Sequence, residues 1–390
     1  MDAVAHRRLR RRAALPALRR ADALHHEAAL AAHRRADRHL ARVRVHGLGG
    51  GGPLRGGAGR RVERGAAGGR RGRRLTVLPT RGALVALALL AVPAGGCLQP
   101  PAGARREPAA SARARWADAD WAVLEATVRR AAAERLDTLP VGTAVARIAR
   151  GFVGAPYRPG TLEEPGPEHL VINLREFDCV TLVEHVLALT AFARRDGVAL
   201  LADRDAAERR YAGYLTALRY RGGVIAGYPS RLHYFSEWLS ANAAAGRLRL
   251  VTRELGGVEV REPLDFMTTH RASYPALADS ATFAAIAAIE RRLGAGPPRV
   301  ELPEGRIAGA EPGIREGDVI AATAAIAGLD VVHTGFAVRE GGRVHLLHAP
   351  LVGKSVEISA LPLADRIAGI GTQDGIMVAR PMPGWFTPAR

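Results

Sequence analysis

The chain has 390 residues, and its 56 Lys and Arg against 38 Asp and Glu give a formal charge of +18. The excess is concentrated: residues 1–83 hold 21 basic and 5 acidic side chains, whereas the remaining 307 residues hold 35 and 33. A basic groove across the folded part is therefore excluded, and no nucleic-acid partner is expected there. Two cysteines, Cys97 and Cys179, exclude a disulfide framework and a four-cysteine zinc site. Lys354 is the single lysine, so the arginine runs reflect a compositional bias and carry little functional weight one by one.

Residues 1–74 read as a disordered Arg/Gly/Ala-rich extension. Stretches such as Gly49–Gly52 and Arg70-Arg71-Gly72-Arg73-Arg74 cannot bury enough apolar area to offset chain entropy. Residues 75–97 read as a signal peptide. Gly82–Val92 is an uncharged run of 11 residues behind an arginine-rich flank, short of the roughly 20 needed to span a bilayer. Such signals begin chains, so initiation near Leu75 or Val77 is expected. Ala94-Gly95-Gly96-Cys97 resembles the lipobox of bacterial lipoproteins, which implies a lipid anchor on Cys97; a plain signal cleaved nearby is the alternative. Either implies export to the periplasm or cell envelope. Residues 98–115, with Pro100-Pro101, read as a linker.

Residues 116–390 read as one catalytic domain of the α+β class, expected as a monomer. Apolar spacing predicts helices over Trp116–Leu136 and Gly142–Gly151. The clearest helix is Asp178–Arg195, where Val180, Val183, Leu187 and Thr190 recur at helical spacing before Gly197. Further helices are predicted at Asp205–Leu218, Tyr234–Asn242 and Ser280–Leu293. Strands follow at Asp318–Ala322, His333–Arg339, Val344–Leu347 and Val356–Ile358, with a hairpin turn at Glu340-Gly341-Gly342. Helices first and an antiparallel sheet later is an α+β arrangement.

Cys179 follows Asp178 at the start of the clearest helix. A helix N-terminus presents unpaired N–H groups and the positive end of the dipole, so a lowered thiol pKa and rapid alkylation near neutral pH are expected. The same N–H groups can stabilise an oxyanion. His333 begins one predicted strand and His348 ends the next, so a hairpin at Gly341-Gly342 brings them side by side. His333 can then take the thiol proton while His348 orients its ring. His345 points to the opposite face of its strand. Read singly, each of these residues is an ordinary core or surface residue. Zinc on Cys179, His333 and His348 is the competing chemistry, disfavoured because no Cys-x-x-Cys or His-Glu-x-x-His pattern occurs. No metal and no cofactor are expected.

Asp178-Cys179, His333-Thr334-Gly335 and His348-Ala349, with Gly154-Ala155-Pro156-Tyr157 upstream, resemble the NlpC-type, papain-like cysteine hydrolases of bacterial cell walls. Asn173–Glu184, Arg219–Gly223, Ser230–Phe235 and Gly317–Ile320 extend the likeness to the N-acetylmuramoyl-L-alanine amidase-like family, over about Gly151 to Arg380. The resemblance implies a papain-like fold with N-terminal helices, a helical insertion and an antiparallel sheet. It implies Cys179 as nucleophile, His333 as base, His348 as orienting residue, and Tyr157 close to the nucleophile at the oxyanion site beside Asp178. The substrate it implies is peptidoglycan or a muropeptide, cut at N-acetylmuramoyl–L-alanine. A D-glutamyl–diamino acid endopeptidase and an inactive wall-binding lipoprotein are the alternatives. Arg221, Arg231, His233 and Tyr234 of the insertion are expected either to meet the anionic stem peptide or to pack in internal ion pairs. Glu184 is expected to pair on the helix surface.

Overall fold

The computed structural model describes residues 116–351 and 355–387. The extension 1–74, the signal segment 75–97 with Cys97, and the linker 98–115 lie outside the described residues.

Five helices come first: α1 (Asp118–Ala133), α2 (Val141–Arg150), α3 (Cys179–Arg195), α4 (Arg204–Arg219) and α5 (Phe235–Ala244). Then follow β1 (Leu248–Leu250), β2 (Val258–Val260), α6 (Phe266–Thr269), α7 (Ser280–Ala295), β3 (Arg299–Pro303) and α8 (Glu304–Ala310). The chain continues through β4 (Val319–Ala324), β5 (Val331–Glu340), β6 (Arg343–His348), β7 (Glu357–Ile358), α9 (Leu363–Ala368), β8 (Gln373–Pro381) and α10 (Pro383–Phe386). The six helices and four strands expected from sequence are present, with no end shifted by more than three residues. The missed strands have two causes. β1, β2 and β3 are only three to five residues long. In β8, Ile376, Met377, Val378 and Ala379 are all buried, which erases the alternation that marks a strand.

The sheet runs β2-β3-β8-β4-β5-β6-β7, with β1 also on β8. Every pairing is antiparallel. Both faces are covered. Val319, Ala321, Phe336 and Val338 face the core shared with α1–α5. Their alternates Ile320, Ala322 and Ala337 face a second core with Ile307 of α8 and Leu363 and Ile367 of α9. The β5–β6 hairpin closes at Gly341 and Gly342, with φ of 55° and 83°. Two successive left-handed residues are what a tight, right-twisted hairpin requires. That turn fixes the register Phe336↔Leu347 and brings the start of β5 beside the end of β6.

Glu184 does not lie on the surface. It is buried with Arg219, whose Nε donates to Oε2 at 2.7 Å, and Trp238 Nε1 donates to Oε1 at 3.1 Å. One carboxylate thus ties α3 to α4 and α5. The expectation of surface pairing fails because Glu184 meets the insertion, which covers that side of α3. Burial raises its pKa and the Arg219 guanidinium opposes the rise. Removing one partner of a buried pair strands the other charge. Arg219→Ala is therefore expected to lower unfolding free energy by about 3–5 kcal/mol in chemical denaturation; a loss under about 1 kcal/mol, the usual worth of an exposed pair, would contradict this account.

Candidate active site

The segment before α3 is built to hold the helix tip still. The Asn173 carboxamide oxygen accepts from the Arg175 and Glu176 amides, closing a turn. Asp120, buried on α1, accepts from the Leu174 amide at 2.9 Å and from Arg175 Nε at 3.0 Å. Phe177 is fully buried and meets Phe152 edge-on. Asp178 is the N-cap: its Oδ1 accepts from the Thr181 amide at 2.7 Å while its own amide donates to Thr181 Oγ1 at 2.9 Å. This reciprocal capping box defines where the helix begins, and so places Cys179 as its first residue.

The Gly154–Tyr157 string closes the site from another side. Gly154 adopts φ 92°, and its amide donates to Val356 O at 2.8 Å. Tyr157 forms a parallel bridge with Phe177, which brings it next to Asp178 and Cys179. Burial raises the Tyr157 pKa, with the Cys179 and Asp178 charges adding to the rise, so the phenol stays protonated and can donate.

Cys179 is half-buried and unpaired in any disulfide. Its carbonyl accepts from Thr334 Oγ1 at 2.8 Å, fastening the tip of α3 to the start of β5. The neighbouring His333 places Nε2 2.8 Å from Nδ1 of His348, with the rings at 89°. His348 is buried; its Nε2 lies 3.7 Å from Glu357 Oε1 and has no hydrogen bond of its own. With a carboxylate on the Nε2 side of His348, the proton pattern that suits this chain puts N–H on His348 Nε2 and on His333 Nε2, leaving the lone pair on His333 Nδ1. Gly335 makes room for the pair: a Cβ there would sit 2.4 Å from Leu347 O and 3.0 Å from His348 Cβ. The glycine after His333-Thr334 is thus required by the close approach of the β6 backbone at Leu347 and His348.

The electrostatics differ from the expectation of a lowered thiol pKa. Burial pushes the Cys179 thiol up to about 12, and the Asp178 carboxylate adds to the rise; hydrogen bonding by the Thr334 backbone offsets part of it. The dipole argument failed first because burial disfavours the thiolate, and second because the cap that defines the helix start is itself an anion. Burial and then the Arg366 guanidinium lower His333 to about 3, and burial, His333 and Arg366 lower His348 to about 2. At neutral pH the resting pair is therefore thiol and neutral imidazole.

Arg366 on α9 was missed from sequence, since α9 is too short to show a period. Among the described residues, no cluster of three or more His, Cys, Asp or Glu side chains is arranged to hold a metal ion.

The four insertion residues use their polar groups internally. Arg221 makes a two-pronged pair with Glu237, at 2.9 and 2.7 Å. Arg231 binds Glu163 at 2.8 Å and the Leu162 carbonyl at 3.0 Å. His233 Nε2 lies 2.9 Å from Tyr228 O, and Tyr234 donates to Glu290 at 2.7 Å. Of the two roles open to them, packing matches these contacts.

The raised thiol gives a direct expectation. Alkylation of Cys179 by iodoacetamide should keep accelerating beyond about pH 9, because thiolate is scarce below that. A rate that levels off by about pH 7 would show a lowered thiol and contradict the burial effect.

Comparison with known proteins agrees with this architecture. Two crystal structures of an N-acetylmuramoyl-L-alanine amidase from Bacteroides uniformis are similar, at 34% and 35% identity with TM-scores of 0.57 and 0.56. The matches cover 62% and 61% of this chain and 99% and 98% of theirs. A Bacteroides fragilis protein described as a candidate xylanase is 36% identical at a TM-score of 0.53, over 60% of this chain and 98% of its own. A search of curated proteins gives no match. The profile of the N-acetylmuramoyl-L-alanine amidase-like family matches residues 147–372, from α2 into the turn before β8, a span that includes Tyr157, Cys179, His333, His348 and Arg366. The chain belongs to the N-acetylmuramoyl-L-alanine amidase-like family.

Proposed function

We propose that the protein is an exported cysteine amidase of peptidoglycan, built on a papain-like, NlpC-type scaffold, with Cys179 as nucleophile, His333 as base and His348 as orienting residue. The observation that carries this reading is the 2.8 Å contact between the two imidazoles beside the residue that fastens Cys179 to β5.

In the reaction, the Cys179 thiol gives its proton to His333 Nδ1 as sulfur attacks the amide carbonyl. His333 Nε2–H donates to His348 Nδ1 throughout, which holds the ring and spreads its new charge. The Cys179 backbone amide and the protonated Tyr157 phenol receive the oxyanion in this reading. His333 then protonates the departing amine, leaving a thioester. Water, deprotonated by His333, cleaves the thioester and restores the thiol. Proton transfer and attack are coupled here, because neither partner is ionised at rest. The burial that keeps His333 unprotonated also makes it a weaker base, so proton transfer must accompany attack; low-pH loss of activity needs protonation of resting His333, so the acid limb falls below the ordinary histidine range near pH 6.5.

A lipid anchor on Cys97 and a linker over 98–115 fit an enzyme that works at the envelope on an insoluble wall. We favour the N-acetylmuramoyl–L-alanine bond.

Muropeptides incubated with the full chain should release new amine, and mass spectrometry of the products should identify the bond. Cys179→Ala should lower kcat at least about 10³-fold. Product release unchanged in Cys179→Ala, or release of reducing sugar from xylan in place of amine from muropeptides, would refute the reading. Gly335→Ala should lower kcat by displacing His348 while Cys179 stays alkylatable; wild-type turnover in that variant would contradict the assigned role of His348.

A further inference from the structure

We propose that Arg366 is an anion-receiving residue of this site, placing a substrate carboxylate beside the Cys179 sulfur. The inference rests on Cys179 being the nucleophile and adds the substrate feature read next to it.

The argument starts from the faces of the sheet. In β6, Val344, Leu346 and His348 share one face; in β5, His333, Gly335 and Ala337 share it too, since Ala337 and Ala322, the partner of His333, pack in the second core. Helix α9 covers that face through Leu363, Ala364 and Ile367. Cys179 comes from the other side, held by Thr334. The site thus straddles the start of β5, with α3 on one side and α9 on the other.

Arg366 stands on α9 at this end of the sheet. Its Nη1 donates to Gln373 Oε1 at 3.3 Å, and Gln373 pairs with Ala324 at the end of β4. Its half-buried guanidinium acts electrostatically on Cys179, His333 and His348, and the acidic group facing it is Glu357. Among the described residues Arg366 has no ion pair within 4.0 Å. Glu357 instead lies 3.7 Å from His348 Nε2 and is itself substantially exposed.

A permanent cation that raises the cost of ionising the base is a poor choice for resting chemistry alone. It becomes useful when an anion arrives. A guanidinium has five donors in a rigid fork that matches a carboxylate, and among the described residues one hydrogen bond, to Gln373, occupies them. Anion binding would also weaken the repulsion between Arg366 and the imidazolium formed during attack. A peptidoglycan stem peptide carries carboxylates along its length, and one close to the scissile amide fits this position.

The test compares two reagents of nearly equal size on the full chain, with the adduct on Cys179 measured by peptide mass spectrometry. Iodoacetate carries a carboxylate and iodoacetamide does not. The iodoacetate-to-iodoacetamide rate ratio should fall about tenfold in Arg366→Gln and only in part in Arg366→Lys, which keeps the charge but loses the fork. The wild-type ratio should also fall as salt is raised. An unchanged ratio in Arg366→Gln, with no salt dependence in the wild type, would overturn the proposal; the salt series decides if the variant does not fold. With muropeptides, Arg366→Gln should raise KM about tenfold for a substrate bearing the free carboxylate and leave its amidated counterpart unchanged. An altered alkylation ratio with no muropeptide cleavage would keep the anion subsite and refute the peptidoglycan reading instead.

Discussion

The contact on which the site depends is the fastening of a helix tip to a strand end. Thr334 holds the carbonyl of Cys179, and the residue before Thr334 is one of the two imidazoles. Because Thr334 and His333 are neighbours in the chain, the bond that holds the Cys179 backbone also fixes where His333 leaves the sheet. The rest of the structure serves that joint. Asp120 and Asn173 stop the chain from moving before α3, and the capping box fixes where the helix starts. The Gly341-Gly342 hairpin sets β6 in register so that His348 arrives opposite Gly335.

The joint is neutral at rest. A carboxylate cap and burial keep the thiol protonated, while burial and Arg366 keep both imidazoles uncharged. Such a site avoids carrying a buried ion pair before substrate arrives and avoids an oxidation-prone thiolate at rest. Ionisation is deferred to the moment of attack, when the substrate's own groups complete the electrostatics.

Much of this was legible in the sequence, for reasons that differ by element. α3 was clear because it is long and periodic, and the hairpin because consecutive glycines carry a specific turn chemistry. The pairing of His333 with His348 followed from counting residues on either side of that turn. Arg366 was hidden because six-residue α9 has no measurable period. Glu184 was misjudged because its face of α3 is covered by residues 35 and 54 positions away, contacts that local spacing does not encode. The thiol pKa was misjudged because the dipole was weighed without the burial of the thiol, which local sequence does not show, and without its anionic cap. Several longer strings of the family resemblance turn out to be scaffold: Arg219 neutralises Glu184, Arg221 joins Glu237, and Asp318 pairs with Arg380.

The central claim is that sulfur forms a bond to the substrate's acyl group. Acid quenching of the full chain during turnover of a muropeptide, followed by intact and peptide mass spectrometry, tests it most directly. The account predicts a thioester adduct on the peptide containing Cys179, whose mass names the acyl fragment and hence the bond. Turnover without any adduct on that peptide when deacylation is slowed, or an adduct on another residue, would contradict it.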